Sequence, residues 1–288
     1  MAPAILSKAG MRRSLAEGEL IMPNCGPFRR MVILGDSNAY GMCAHEARNE
    51  WNQVLAYWLR HFQDLPLQVF NRGLPAEVIS PRCPGYADSA KPSLMERYQR
   101  HCIDLEPDLV VIAQSLNDMR AGMPLQEYLA DLAAIVADIQ AQTAALVVLP
   151  GVYHQIHGRG VNDPALYPTW SRWNDLDAHA YNHAIGLLAA QLGALYVDTR
   201  AVFAGADWTL HSDCCHLNDL GQVLMGNALF QVVATHCAGI ADKTMRIMNE
   251  EAVSILNTGG ADTDEEIQAL WSEALDRFTI EFDDELKK

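Results

Sequence analysis

A doubly wound α/β fold built on a five-stranded parallel sheet is what this sequence predicts, on three observations. Five short, nearly uninterrupted apolar runs recur between residues 30 and 198. Segments of helical period and helical length separate them, the pattern of strands buried on both faces and joined by crossover helices. Half of the 288 residues are hydrophobic, ample for the core such a sheet needs.

The elements follow in order. "RMVILG" (30–35) is the first strand. "NEWNQVLAYWLRHF" (49–62) is a helix with Trp51, Leu55, Trp58 and Leu59 on one stripe. "LQVFN" (67–71) is the second strand, followed by a Pro/Gly-rich loop to about residue 91. "PSLMERYQRHCIDL" (92–105) opens with Pro92 near a helix start, where a missing N–H costs nothing. "DLVVIAQ" (108–114) is the third strand, and "PLQEYLADLAAIVADIQAQT" (124–143) a long amphipathic helix. "ALVVLP" (145–150) is the fourth strand. A long loop, a helix over 171–192, a fifth strand "ALYVD" (194–198) and a helix from Asn218 to Cys237 complete the sheet domain. Residues 1–28 read as an N-terminal arm, 29–240 as the α/β domain and 241–288 as a helical extension. The last segment holds 13 acidic and 5 basic residues, −8 of the total −15, which marks the boundary. "DKTMRIMNEEAVSILN" stops at Gly259-Gly260, and Thr263 with Glu266 forms a capping box for a second helix. Its apolar stripe through Trp271 and Phe278 either docks on the chain's own domain or makes a homodimer contact.

The bulk properties exclude several classes. A net charge of −15 repels nucleic acid and anionic membrane surfaces, so neither is expected as a partner. No apolar run reaches the ~18–20 residues of a membrane span, and the first twenty residues carry no secretory apolar core. Seven scattered cysteines without a Cys-x-x-Cys predict reduced thiols, a cytoplasmic setting and no zinc knuckle. Cys214 and Cys215 read as small buried thiols. His154 and His157 are spaced His-x-x-His without a matching carboxylate, so no metal is expected there.

In an open parallel sheet, ligands bind outside the carboxyl ends of the strands. That rim receives Ser37, Gly73, Asn117 and His154 from the loops after the first four strands. "ILGDSNAYG" (33–41) stops an apolar strand on Gly-Asp-Ser, either an ordinary turn or a mount for a nucleophile. "HSDCCHLNDLG" (211–221) carries Asp213 and His216 two residues apart, a spacing that sets a carboxylate beside Nδ1 and leaves Nε2 free to take a proton from a hydroxyl. Asp36 reads as a loop brace; Asp118 reads either way. The loop "PGVYHQIHGRGVNDPALYPTWSRW" (150–173) is long enough to suggest a function. Tyr153, His154, Trp170 and Trp173 are expected to wall an acyl or alcohol pocket, against the alternative of a self-packed cover.

The blocks "GDSNAYG" (35–41), "NRG" (71–73), "SLND" (115–118) and "DCCH" (213–216), in this order over residues 30–238, resemble those of the SGNH, or GDSL-type, serine hydrolases. The resemblance implies the flavodoxin-like sheet of that superfamily and an esterase that needs no cofactor or metal. It assigns Ser37 as nucleophile, His216 as general base and Asp213 as its orienting partner. It also implies an oxyanion hole made by the Ser37 and Gly73 backbone N–H groups and the Asn117 amide. The expected substrate is a small-acyl ester of a sugar or other metabolite. An acyltransferase using the same triad, and a non-catalytic binding protein, are the alternatives. Where the superfamily has Gly-x-Asn-Asp, this chain has Ser115, which implies a narrowed pocket floor or a tilted Asn117 loop.

Overall fold

The computed structural model describes residues 25–63, 65–241, 243, 244 and 246. The chain divides into two units, Met1–Lys243 and Thr244–Lys288, and the elements below all belong to the first. Most of the expected arm, the two C-terminal helices and any dimer contact through them lie outside the described residues.

The strands are β1 (Arg30–Gly35), β2 (Gln68–Gly73), β3 (Leu109–Ala113), β4 (Leu146–Pro150) and β5 (Leu195–Val197). All are parallel, in the order β2-β1-β3-β4-β5. The apolar runs lie where burial is greatest: Met31–Leu34 and Leu109–Val111 are wholly inaccessible to solvent. Register matters most for the site. Gly35 faces Gly73 on one side and Ala113 on the other, so β1, β2 and β3 end at one level and release their loops together.

The helices are α1 (Ser37–Tyr40), α2 (Trp51–Phe62), α3 (Tyr86–Ser89), α4 (Leu94–His101), α5 (Leu116–Arg120), α6 (Leu125–Gln142), α7 (Asp175–Leu192), α8 (Thr199–Phe203) and α9 (Asp219–His236). Two groups flank the sheet, α2 with α9 and α4 with α6 and α7. Of the expected α2 stripe, Trp51, Leu55 and Leu59 are buried, whereas Trp58 lies on the α2–α9 seam and donates to Asn227 Oδ1 at 2.7 Å. Helix α4 starts later than Pro92 suggests, because Ser93 and Glu96 close a capping box and leave the proline outside. Helix α7 starts at Asp175, capped by Asn174, and stops at Gly193. The short turns α1, α5 and α8 lack the length to show a period in sequence. No helix among the described residues is long and apolar enough to cross a membrane.

Candidate active site

The site begins where β1 ends. A Cβ at Gly35 would lie 2.1 Å from the Ala113 carbonyl oxygen, so only glycine lets β1 and β3 close together there. Asp36 then caps α1, its Oδ1 accepting the Asn38 N–H at 2.8 Å, and this sets Ser37 in the first turn. The turn is locked by Trp51, whose Nε1–H reaches the Asn38 carbonyl at 2.6 Å. As the first residue of a helix, Ser37 has a backbone N–H with no intrahelical acceptor.

From the far end of the domain, the turn before α9 brings His216 to the same place. His216 Nε2 is 2.8 Å from Ser37 Oγ, across 179 residues of sequence. Its Nδ1 lies 2.5 Å from Asp213 Oδ2. The other oxygen, Asp213 Oδ1, accepts the backbone N–H groups of Cys215 and His216 at 3.0 and 2.9 Å. Half-burial, the largest single influence, opposes the charge on Asp213. The hydrogen bonds from His216 and Cys215 together outweigh it and hold the carboxyl well below the usual range. The carboxylate is therefore ionised and fixes the imidazole with Nε2 toward the serine. A hydroxyl beside a base that is itself oriented by a carboxylate is equipped for nucleophilic attack on an acyl carbon.

Asn117 sits in the first turn of α5. Its Nδ2 gives one hydrogen to the Glu77 carbonyl at 3.0 Å and keeps a second, while its Oδ1 accepts from Arg120 at 3.2 Å. Ser115, which stands where glycine was expected, has extended backbone (φ −175°) that any residue adopts. Its side chain is buried and interacts with Tyr128.

Gly73 differs from expectation. Its N–H is committed to Asn71 Oδ1 at 2.9 Å, and Asn71 Nδ2 in turn donates to the Tyr40 carbonyl at 3.1 Å. Its lack of a side chain serves packing: a Cβ there would lie 2.2 Å from the Tyr40 nitrogen. Three residues on, Ala76 adopts a left-handed φ of 68°, next to Glu77, whose carbonyl holds Asn117.

The expected pocket wall also needs correction. Tyr153 and Trp173 are buried, at 4% exposure each. The Tyr153 hydroxyl donates to the Cys215 carbonyl at 2.8 Å and lies against Asn38 Oδ1, so it braces the serine turn to the histidine turn. Trp170 packs on Gly85 and on the Arg120 guanidinium. His154 lines a cavity of about 600 Å³ that the other three do not border, and pairs with Asp207 at 2.6 Å. That cavity is also lined by Gln155, His157, Asp175 and Arg200, and neither Ser37 nor His216 borders it.

Residues that the sequence did not single out do much of the positioning. Buried Arg120 donates to Asn162 Oδ1 at 2.9 Å and to the Val161 carbonyl at 2.6 Å, besides Asn117. Asn162 passes the connection to the Cys214 carbonyl at 3.0 Å. Beneath the rim lie three buried carboxyls, Asp36, Glu77 and Asp118, of which Glu77 is paired with Arg97. The signals were faint: Arg120 is one helical turn from Asn117, and an arginine three residues on is common on solvated helices.

A model of the GDSL-like lipase/acylhydrolase family matches residues 33–224. The chain belongs to this family. It is accordingly a hydrolase of the esterase/acylhydrolase class. No curated protein matches it in sequence. Among solved structures, the acetylxylan esterase Axe2 of Geobacillus stearothermophilus is similar in fold, with 19% identity, TM-score 0.53, and 73% of this chain matched to 95% of that one. A lipase/acylhydrolase from Enterococcus faecalis gives 17%, 0.55, 72% and 96%. TesA gives 18%, 0.54, 72% and 99%. The family assignment agrees with the SGNH resemblance, and the sheet with the five-stranded α/β fold it implied.

Proposed function

We propose that this GDSL-family chain is a carboxylic ester hydrolase in which Ser37 is the nucleophile, His216 the general base and Asp213 its orienting carboxylate. The observation that carries the reading is the continuous contact Asp213 Oδ2–His216–Ser37 Oγ, at 2.5 and 2.8 Å. Ser37 Oγ attacks the ester carbonyl carbon and its proton passes to His216 Nε2. The oxyanion that forms meets the Ser37 N–H and the spare hydrogen of Asn117 Nδ2. Collapse breaks the bond to the alcohol oxygen, which takes the proton from Nε2 and departs, leaving acyl-Ser37. A water then attacks, gives its proton to Nε2, and the acid is released as Ser37 Oγ recovers that proton. Gly73 joins the hole only when Asn71 releases its N–H.

The substrate we infer is a small-acyl ester, such as the acetyl ester of a sugar or another hydroxylated metabolite. Two things support this. The cavity on the same rim, after β4 and β5, is lined by the polar groups of His154, Gln155, His157, Asp175 and Asp207, which suit a hydroxyl-rich alcohol. A fold neighbour is an acetylxylan esterase. Labelling with a fluorophosphonate tests the nucleophile: wild type is labelled on Ser37 and Ser37→Ala is not. Unlabelled wild type, or label retained by the variant, overturns the assignment. On p-nitrophenyl esters, kcat/KM is expected to be highest for acetate and to fall with chain length; a maximum at long acyl chains refutes the small-acyl reading.

A further inference from the structure

Asp213 has two further neighbours that the esterase reading does not use. Cys43 Sγ lies 3.7 Å from Asp213 Oδ2, and His211 Nδ1 lies 3.6 Å from the same oxygen. All three donor atoms are within 4.8 Å of one another, and all three residues are partly exposed. A thiol, an imidazole and a carboxylate form a mixed donor set of the kind that zinc takes. A tetrahedral zinc ion with bonds of about 2.0–2.3 Å holds its ligand atoms roughly 3.3–3.5 Å apart. Two of the separations are already within a few tenths of an ångström of that.

The donors are also held by backbone. His211 and Asp213 share one turn, closed by His211 N–H to the His216 carbonyl at 2.7 Å and Cys214 N–H to the His211 carbonyl at 3.0 Å. Cys43 follows the serine turn, where Gln222 Nε2 grips the Met42 carbonyl at 3.0 Å. Cys43 itself has a left-handed φ of 72°, which directs its neighbours away from a regular helical exit. Exposure on one side leaves the fourth position to water.

We propose that Cys43, His211 and Asp213 form an inhibitory site for a thiophilic divalent cation, zinc or cadmium. Binding replaces the Cys43 S–H bond with an S–metal bond and releases that proton to solvent. The cation binds Asp213 Oδ2 through a lone pair beside the one that accepts from His216 Nδ1 and, with the Cys43 proton gone, adds a net single positive charge next to the imidazole. That charge, and the electron density drawn from Oδ2, oppose the imidazolium that forms when Nε2 takes the serine proton, and turnover falls without any metal touching Ser37. The effect on rate rests on the esterase reading above; the binding does not.

The test therefore reads both. Zinc alone, added to the full chain, is expected to inhibit p-nitrophenyl acetate hydrolysis reversibly, with recovery on chelation, while magnesium, which prefers oxygen ligands, has no effect. Cys43→Ser and His211→Gln, each normalised to its own metal-free rate, are expected to need about 10- to 100-fold more zinc for the same inhibition, the range by which altered metal surroundings weaken affinity. Cadmium binding is followed separately by the thiolate-to-metal charge-transfer absorbance, expected in wild type and in Ser37→Ala and lost in Cys43→Ser. Inhibition unchanged in both variants overturns the site, as does a cadmium band retained by Cys43→Ser or absent from wild type. A cadmium band in a protein with no esterase activity would keep the site and reject the esterase reading.

Discussion

Replacing Asp118 with asparagine is expected to make the protein more stable at neutral and alkaline pH, and the gain should grow with pH. Asp118 is fully buried. Burial, the largest influence, pushes its carboxyl up to about 7, against the hydrogen bonds it accepts from Ile79 N–H at 2.8 Å and Gln114 Nε2 at 2.7 Å. An aspartate in the unfolded chain titrates near 3.9. The folded chain thus binds this proton about a thousand-fold more tightly, which corresponds to about 4 kcal/mol. Because the folded value is the higher one, that stability is fully present below about pH 4 and is lost as pH rises to the folded value near 7. Roughly 1 kcal/mol of it has gone by about pH 5, and roughly 3 kcal/mol goes between about pH 5 and pH 8.

Asp118→Asn removes this titration and fits the existing bonds. The amide oxygen still accepts from Ile79. The new NH₂ faces Gln114, whose Oε1 is buried without a hydrogen-bond partner among the described residues. Rotating the Gln114 amide supplies that acceptor, at the loss of its longer contact to the Glu77 carbonyl at 3.3 Å. Urea unfolding of both proteins at several pH values measures the difference, and subtraction cancels groups that titrate alike in both. The variant's advantage should increase by about 3 kcal/mol from about pH 5 to pH 8. A difference that stays flat with pH, or a variant that weakens as pH rises, would show Asp118 ionised throughout and refute the argument.

Three further outcomes follow from the site. Asn117→Ala removes the proposed oxyanion donor and should lower kcat by about 10²–10³ with little change in KM, read by steady-state hydrolysis of p-nitrophenyl acetate. Arg120→Lys replaces a fork holding three acceptors with a single ammonium and should cost about 10²-fold in kcat by letting Asn117 drift, with KM nearly constant. Gly73→Ala sets a Cβ against the Tyr40 backbone and should destabilise the fold by about 1–3 kcal/mol in denaturant titration, whereas Asn71→Ala, which frees the Gly73 N–H, should not lower kcat.

The sheet was legible because its strands are buried on both faces. "MVIL" and "LVVI" announce themselves by composition, whereas the starts of α4 and α7 fell two to four residues later than expected, because the caps at Ser93 and Asn174 decide them. The partnership of Ser37 with His216 was legible through two short turns at the expected ends of strands. What stayed hidden depends on where a side chain turns. Tyr153 and Trp173 look like pocket walls in a loop rich in aromatics, yet both are buried, Tyr153 on the Cys215 carbonyl and Trp173 against the His157 ring. Gly73 was read for its N–H alone; the close contact with the Tyr40 backbone, which requires glycine, comes from two segments more than thirty residues apart. Ser115 needed no glycine because its φ of −175° lies outside the left-handed region. Arg120 had only its helical spacing from Asn117 to mark it, since its role comes from three acceptors, two of them more than forty residues away.

The long loop after β4 answers its own question in the same terms. Ser37 and His216 come from opposite ends of the domain, and a contact of 2.8 Å between them survives only if both turns are held. The loop holds the second. Ile156 and Val161 donate backbone N–H groups to the Cys214 and Asp213 carbonyls at 3.2 and 3.0 Å, and Asn162 adds a side-chain bond to the Cys214 carbonyl. Through Arg120 the same asparagine reaches Asn117, so the turn that carries His216 and the Asn117 amide are linked through one buried residue, Asn162. Asn162→Ala removes that link without touching substrate. It should therefore lower kcat by about tenfold to a hundredfold and leave KM within about twofold, the pattern of lost positioning. A change in KM with kcat intact would instead make this loop the pocket wall that its aromatic residues suggest.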